Sequence, residues 1–302
     1  MIDEVYGNKI NKEILYANIK SAISDGKDIL NLEEIKCYEN PRFLSTSKEA
    51  IEAKDTLNKY SSTKVTYMFG DETEILDGAT INKWLGVDDN LEVKIDITQI
   101  KDYIDTLSKK HNTAGKSRNF KTSPGKIVKV EGGFYGWKIN KVKEEIILTK
   151  NIKNGEIISR EPIYSQTAAS HKDNDIGSTY VEINITRQYL WFYKNGFIVT
   201  QGDIVTGDKN KNNPTSLGTY MLNYKEKNAT LRGANYSSDV TYWMPFNGNI
   251  GIHDASWRYS FGGDIYKSNG THGCVNTPKY LARAIFDKIE DGTPIIVYED
   301  EN

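Results

Sequence analysis

The sequence predicts a multidomain chain in which α+β modules at the N-terminal end precede a mainly-β domain with one helix following a lone cysteine. Three observations predict it. At 302 residues the chain is longer than one hydrophobic core usually organises. Apolar residues recur at 3–4 spacing in the first half, whereas short strands joined by tight turns dominate after residue 179. Between these textures, Ser165 to Gly177 is polar and pattern-free, as a linker is. The expected division is 1–44, the end of a first, truncated α+β repeat; 45–165, a complete α+β module; 166–178, a linker; and 179–302, the β-rich domain.

Element by element, the first repeat rests on shared order. Gly7-Asn8-Lys9-Ile10-Asn11-Lys12 resembles Gly136-Trp137-Lys138-Ile139-Asn140-Lys141, and each is followed by a Gly-bearing turn and then a Pro near a Tyr. The first copy starts near the module's end, which leads us to expect a longer native chain carrying an export signal or membrane anchor. Met1-Ile2-Asp3-Glu4 is no signal peptide, and no apolar run spans a membrane. Ser45, Thr46 or Ser47 caps a helix whose apolar side carries Ile51 and Leu57. A strand at 65–69 ends at Gly70-Asp71, a short helix follows over 78–85, and 97–107 is helical with Ile97, Ile100, Ile104 and Leu107 on one side. Ile127 to Val130 and Tyr135 to Ile139 flank Gly132-Gly133 as a hairpin. In the β-rich domain, strands at 180–185, 189–193 and 197–200 are joined at Thr186-Arg187-Gln188 and Asn195-Gly196, with further strands near 218–224 and 249–253. The end, Glu299-Asp300-Glu301-Asn302, reads as a solvated tail.

Composition excludes several classes. Net charge of −2 with 26% charged residues gives no basic face for nucleic acid. Two cysteines, Cys37 and Cys274, cannot staple a chain this long. Cys37 reads as a buried strand thiol, and His111 and His171 as surface or linker residues.

The chemistry concentrates in Ile252-His253-Asp254 and Thr271-His272-Gly273-Cys274-Val275-Asn276. A cysteine acyl transferase needs an imidazole to take the thiol proton and N–H donors aimed at the developing oxyanion. Gly273 allows a sharp turn beside Cys274. Thr277 as cap and Pro278 at the first helical position would open a helix whose positive end favours thiolate. From the residues alone, either His253 or His272 could be the base.

A His, seventeen intervening residues, then Thr-His-Gly-Cys-Val-Asn resembles the signature of the L,D-transpeptidase (YkuD-like) catalytic domain, and Asn213-Pro214-Thr215-Ser216-Leu217-Gly218-Thr219-Tyr220 resembles a second segment of that family, with Ser216 where proline is common. The resemblance implies a β-sandwich with Cys274 as nucleophile and His253 as base. It implies that Asp254, where a small residue is more usual, orients the ring through its backbone carbonyl, and that His272, Gly273 and Cys274 donate N–H groups to the oxyanion. Thr271, Asn276, Trp257 and Tyr220 would contact substrate, and Trp243 and Met244 would belong to a lid or, more simply, to packing. The implied reaction joins peptidoglycan stem peptides, a tetrapeptide donor and a diamino acid acceptor, into 3–3 cross-links outside the cytoplasm. It needs no metal or cofactor, and carbapenem β-lactams would acylate the cysteine. Phe120-Lys121-Thr122-Ser123-Pro124-Gly125 and Gly132-Gly133-Phe134-Tyr135-Gly136-Trp137 resemble a peptidoglycan-binding module found ahead of such domains.

Four rivals stand beside this reading: hydrolysis by the same site as a carboxypeptidase, a zinc site from His253, His272 and Cys274, a sortase-like enzyme using Arg283, and a non-catalytic wall-binding protein. The zinc ligand spacing fits poorly, Arg283 lies in the expected helix, and intact His253, Gly273 and Cys274 speak against a dead domain.

Overall fold

The computed structural model describes residues 4, 6, 7, 9–172, 174–233 and 236–300. Met1 to Asp3, Asn8 of the first repeat string, Asp173 of the expected linker, and Glu301 and Asn302 of the tail lie outside the described residues. Two compact units emerge, one built on the chain up to Thr66 with Ile75–Asp102 and Glu145–Ser159, the other on Tyr67–Glu74, Tyr103–Glu144 and the chain from Arg160 on.

In the first unit, polar caps start each helix. Asn11 Oδ1 accepts from the Glu13 and Ile14 N–H groups to begin Lys12–Ser24, Ser47 Oγ accepts from Ala50 to begin Lys48–Ser61, and Asp77 caps Gly78–Asn82. Ile51 is exposed and Ala53 takes the buried position, so the apolar side of the second helix is rotated from the one expected. Cys37 is fully buried but outside any strand, its thiol donating to Asn11 O at 3.7 Å.

In the second unit, the expected hairpin about Gly132-Gly133 is replaced. Ile127–Val130 pairs instead with Arg118–Lys121, and Lys138–Ile139 with Tyr164–Gln166. Both glycines have positive φ (86° and 79°), and a Cβ on Gly133 would fall 2.0 Å from Thr219 O. They serve close backbone approach to a distant strand, not a local turn. Lys141–Asn154 is a helix that the sequence reading missed, with Lys141 to Glu144 counted in this unit and the rest in the first. The expected linker is packed: Trp137 stacks on His171 at 3.8 Å, Ile176 is buried, and Asp175 forms a buried bidentate pair with Arg118 at 2.6 and 2.9 Å. His111 is likewise no surface residue, its ring stacked 3.6 Å from Phe69 and bonded to Glu74.

The C-terminal domain is mainly β. We label its strands β1 (Tyr180–Asn184), β2 (Tyr189–Lys194), β3 (Phe197–Asp203), β4 (Gly218–Met221), β5 (Glu226–Gly233), β6 (Tyr236–Asn247), β7 (Ile250–Asp254), β8 (Val275–Thr277) and β9 (Pro294–Tyr298). Its helices are α1 (Ile265–Asn269) and α2 (Lys279–Phe286). One sheet runs β3-β2-β1-β9-β4 and the other β5-β6-β7-β8. Asn195 and Gly196 both take positive φ (54° and 82°), as a two-residue hairpin turn between β2 and β3 demands. Val181, Ile183, Leu190 and Phe192 from the first sheet meet Met244, Phe246, Ile252 and Val275 from the second, with Leu281, Ala282 and Ile285 of α2 closing the same core. Each of these side chains larger than alanine contributes about 1.5–3 kcal/mol. Buried Glu182 of β1 accepts from Ser123 N at 2.9 Å and Tyr298 Oη at 2.6 Å, which fastens the 118–130 hairpin to the sheet.

Candidate active site

The site follows from the pairing of two short strands. β7 and β8 run parallel with Ile252 opposite Val275, His253 opposite Asn276 and Asp254 opposite Thr277. That register sets Cys274 across from Gly251. Because side chains alternate, Gly251 and His253 share one face of β7, and Cys274 and Asn276 share the same face beside them. His253 and Cys274 are therefore diagonal neighbours, within reach of long side chains at about 7–8 Å between backbones. Both line one cleft of about 210 Å³ together with Thr271, His272, Asn276 and Trp257.

His253 is buried, and its Nδ1 lies 3.0 Å from its neighbour's carbonyl, Asp254 O. A carbonyl can only accept, so the proton sits on Nδ1 and Nε2 is the basic nitrogen. The Asp254 carboxylate points elsewhere: Oδ1 accepts the N–H groups of Thr241 and Tyr242 at 2.8 and 2.7 Å, tying β6 to β7. The ring of His253 lies between Trp243 and Trp257, with centroids at 5.8 and 6.0 Å. Burial pushes the imidazole pKa down, opposed by the hydrogen bond to Asp254.

Cys274 is half-buried. Its thiol donates to Asn249 O at 3.6 Å and faces the Gly251 N–H. Burial pushes the thiol pKa up, which the Gly251 N–H partly offsets. The expected helical field does not reach it. β8 intervenes, Thr277 belongs to that strand, and Pro278 rather than Thr277 occupies the cap position of α2, without a side-chain cap. Four residues separate Cys274 from Lys279, about 10 Å or more of extended chain, whereas the field fades within the first turn. Thr277 Oγ1 instead donates to His253 O at 3.2 Å, bracing the two strands.

The turn before Cys274 is held tightly. Gly273 takes φ 117°, open to glycine, and a Cβ there would press Ile250 at 3.2 Å. Thr271 Oγ1 donates to Cys274 O at 2.6 Å and accepts the Gly273 N–H at 3.0 Å, while Thr215 Oγ1 donates to Gly273 O at 2.7 Å. In the resting site the Gly273 N–H is given to Thr271, so its expected place among the oxyanion donors requires that bond to yield. Tyr220, Met244 and Trp243 are found in packing. Tyr220 is a core residue, packed on Phe134 and Phe246 and donating to Leu217 O at 3.0 Å. Met244 is fully buried in the core, and Trp243 packs beneath Cys274 with Ala229 and Val240. Both lie on strand β6. Arg283 is exposed, pairs with Asp287 and does not line the cleft. The cleft also holds Leu231, Ser238, Arg258 and Gly270, which sequence reasoning missed because the β5–β6 hairpin and the 255–270 loop carry no local signature.

Residues 178–297 match the family model described as L,D-transpeptidase catalytic domain, and residues 44–157 match that described as "Putative peptidoglycan binding domain". Among solved structures, the chain is similar to the Ldtfm–avibactam carbamoyl enzyme, with 34% identity over 83% of this chain and 100% of that one at a TM-score of 0.67. It is similar also to a cysteine-to-serine mutant of the Enterococcus faecium L,D-transpeptidase, with 35% identity over 82% of this chain and 100% of that one at a TM-score of 0.66. No curated protein matches the chain.

Proposed function

Since the chain belongs to the L,D-transpeptidase family of cysteine acyltransferases, we propose that it joins peptidoglycan stem peptides through a thioester on Cys274. The observation that carries this reading is the β7–β8 register, which sets Cys274 and His253 diagonally on one cleft with Nε2 of His253 left basic by the Nδ1 bond to Asp254 O. In the first half-reaction, Nε2 takes the thiol proton as Sγ bonds to the carbonyl carbon of the third, diamino acid residue of a tetrapeptide stem. The oxyanion is held by the N–H groups of His272 and Cys274. As the C–N bond breaks, protonated His253 returns its proton to the amine of the departing D-alanine. In the second half, the side-chain amine of a neighbouring stem attacks the thioester, His253 takes the amine's proton, and Sγ leaves as the thiol. The product is a 3–3 cross-link.

Water in place of the amine gives the carboxypeptidase outcome. Thr271, Asn276 and Trp257 line the cleft and would hold the stem. The similar enzyme that carries an avibactam carbamoyl adduct supports acylation of this site by such inhibitors, and we extend the proposal to carbapenems. The matches to a catalytic and a peptidoglycan-binding family model support work on the cell wall, outside the cytoplasm. We assign 45–165 to the wall-binding module, 166–178 to the join and 179–302 to the catalytic domain. Among the described residues no helix is long and apolar enough to cross a membrane. Mass spectrometry after incubation with a disaccharide-tetrapeptide and with a carbapenem tests the reading. We expect a covalent adduct on Cys274 in each case, absent in Cys274→Ala, and cross-linked dimers from the tetrapeptide. Unmodified Cys274 under both treatments refutes it.

A further inference from the structure

Arg258 stands in the same cleft as His253 and Cys274, five residues beyond the histidine. Main-chain carbonyls hold its guanidinium: Nη1 donates to Asn269 O at 2.8 Å and Nη2 to Gly270 O at 3.4 Å. Nε is buried and has no hydrogen-bond partner, and among the described residues no carboxylate lies within 4.0 Å of the group. A half-buried cation costs free energy unless an anion joins it. Two surface arginines find carboxylates, Arg187 with Asp300 and Arg283 with Asp287, while exposed Arg42 bonds the amide oxygen of Asn90. Here the cleft itself carries the unbalanced charge. It is close enough to His253 to disfavour protonation of the imidazole.

We propose that Arg258 binds the α-carboxylate of the residue that leaves the donor stem, and so restricts the donor to stems ending in a free carboxylate one residue past the acylated carbonyl. The inference rests on the acyl-transfer reading above. The leaving nitrogen must meet His253 to be protonated, and its α-carboxylate hangs from the very next carbon. An anion-binding group on the His253 side of the cleft therefore meets the departing residue, while the acyl portion faces Cys274. A planar guanidinium held by two carbonyls keeps a fixed direction for a carboxylate, which a lysine would not reproduce. The bound carboxylate also cancels the charge that weighs on His253, so the imidazole gains basicity when a donor of the right length arrives.

The test compares steady-state kcat and KM for a disaccharide-tetrapeptide with a free C-terminal carboxylate and for its C-terminal carboxamide. For the unaltered protein we expect kcat/KM on the carboxamide to fall roughly 10- to 100-fold, the range for a charge-assisted hydrogen bond. Arg258→Ala should show a similar fall on the carboxylate substrate and little further fall on the carboxamide, and Arg258→Lys should recover part of the difference. If Arg258→Ala loses equally on both substrates, the residue only braces Asn269 and Gly270 and the proposal is overturned. If the unaltered protein does not distinguish the two substrates, it is overturned as well. If the unaltered protein turns over neither, the acyl-transfer reading itself falls and takes this assignment with it.

Discussion

Gly251 has no side chain to offer the cleft, yet its substitution by alanine should damage both stability and acylation. An added Cβ would lie 2.6 Å from Cη2 and Cζ3 of Trp243 and 2.7 Å from Met244 O. Ordinary carbon contacts are about 3.5–4.0 Å, so something must yield by roughly 1 Å. The Met244 carbonyl belongs to the β6–β7 pairing and cannot retreat without breaking it. Trp243 is buried, packs against Cys274 and sits beside the His253 ring, so it too has nowhere neutral to go. Overpacking of this kind costs about 1–3 kcal/mol, or roughly 2–12 °C in melting temperature for a domain of this size. Because that ring packs against Cys274 and neighbours the His253 ring, a shift of about 1 Å would disturb the pair and should slow carbapenem acylation on the order of 100-fold. Stopped-flow acylation and thermal melts read the two effects. A Gly251→Ala protein that melts within about 1 °C of the parent and acylates at the parent rate would refute the reasoning.

Asp254 yields a second prediction. Alanine there strips the buried Tyr242 N–H of its acceptor, at about 1–3 kcal/mol, and the part-buried Thr241 N–H at less, seen as a lower urea midpoint. Asn keeps one carbonyl oxygen and should restore most of that stability with near-parental acylation, because the ring is oriented by the Asp254 backbone and not its carboxylate; an Asp254→Asn protein as inactive as Asp254→Ala would count against this. The third concerns pH. His253 is pushed below its ordinary value of 6.5 and Cys274 above its ordinary 9.0, both by burial. Iodoacetamide alkylation of Cys274 should thus rise with pH along a limb lying above the ordinary thiol range, whereas a midpoint below that range would indicate a resting ion pair. The His253 contribution to stability should be present above its unfolded pKa and lost as pH falls through the depressed folded value, since the unfolded chain binds the extra proton first; acid melts of His253→Gln should lack that loss.

Local residue types pointed to the Thr-His-Gly-Cys turn, whereas His253 rather than His272 was singled out by the family resemblance; the structure sets Cys274 and His253 on neighbouring parallel strands. The Asn195-Gly196 hairpin was legible from local residue types too, since two successive positive-φ residues announce the turn. What failed was everything decided by remote partners. Gly132-Gly133 reads as a turn until Thr219 is known to lie against it. Tyr220 and Met244 have the chemistry of ligand contacts, but their strands turn them into the core. Thr277-Pro278 carries a helix-start pattern, yet pairing with Asp254 holds Thr277 in a strand. Arg258 and Gly251 act through atoms that no periodicity marks.

The resting arrangement of the cysteine also bears on how the site is switched on. The thiol gives its hydrogen to Asn249 O, so that proton is not yet directed at Nε2 of His253. A thiolate could not keep this contact, because a carbonyl oxygen repels it, whereas the Gly251 N–H would bind a thiolate more strongly than a thiol. Deprotonation therefore exchanges one backbone partner for greater dependence on the other. Since burial disfavours the charged forms of both groups, the neutral thiol and neutral imidazole form the stable resting pair, and charge separation is best timed to the moment when a substrate carbonyl gives the sulfur somewhere to go. A site built this way protects its nucleophile from solvent oxidants between turnovers, and it makes Gly251, with its free N–H direction and missing side chain, as necessary to the chemistry as either titrating residue.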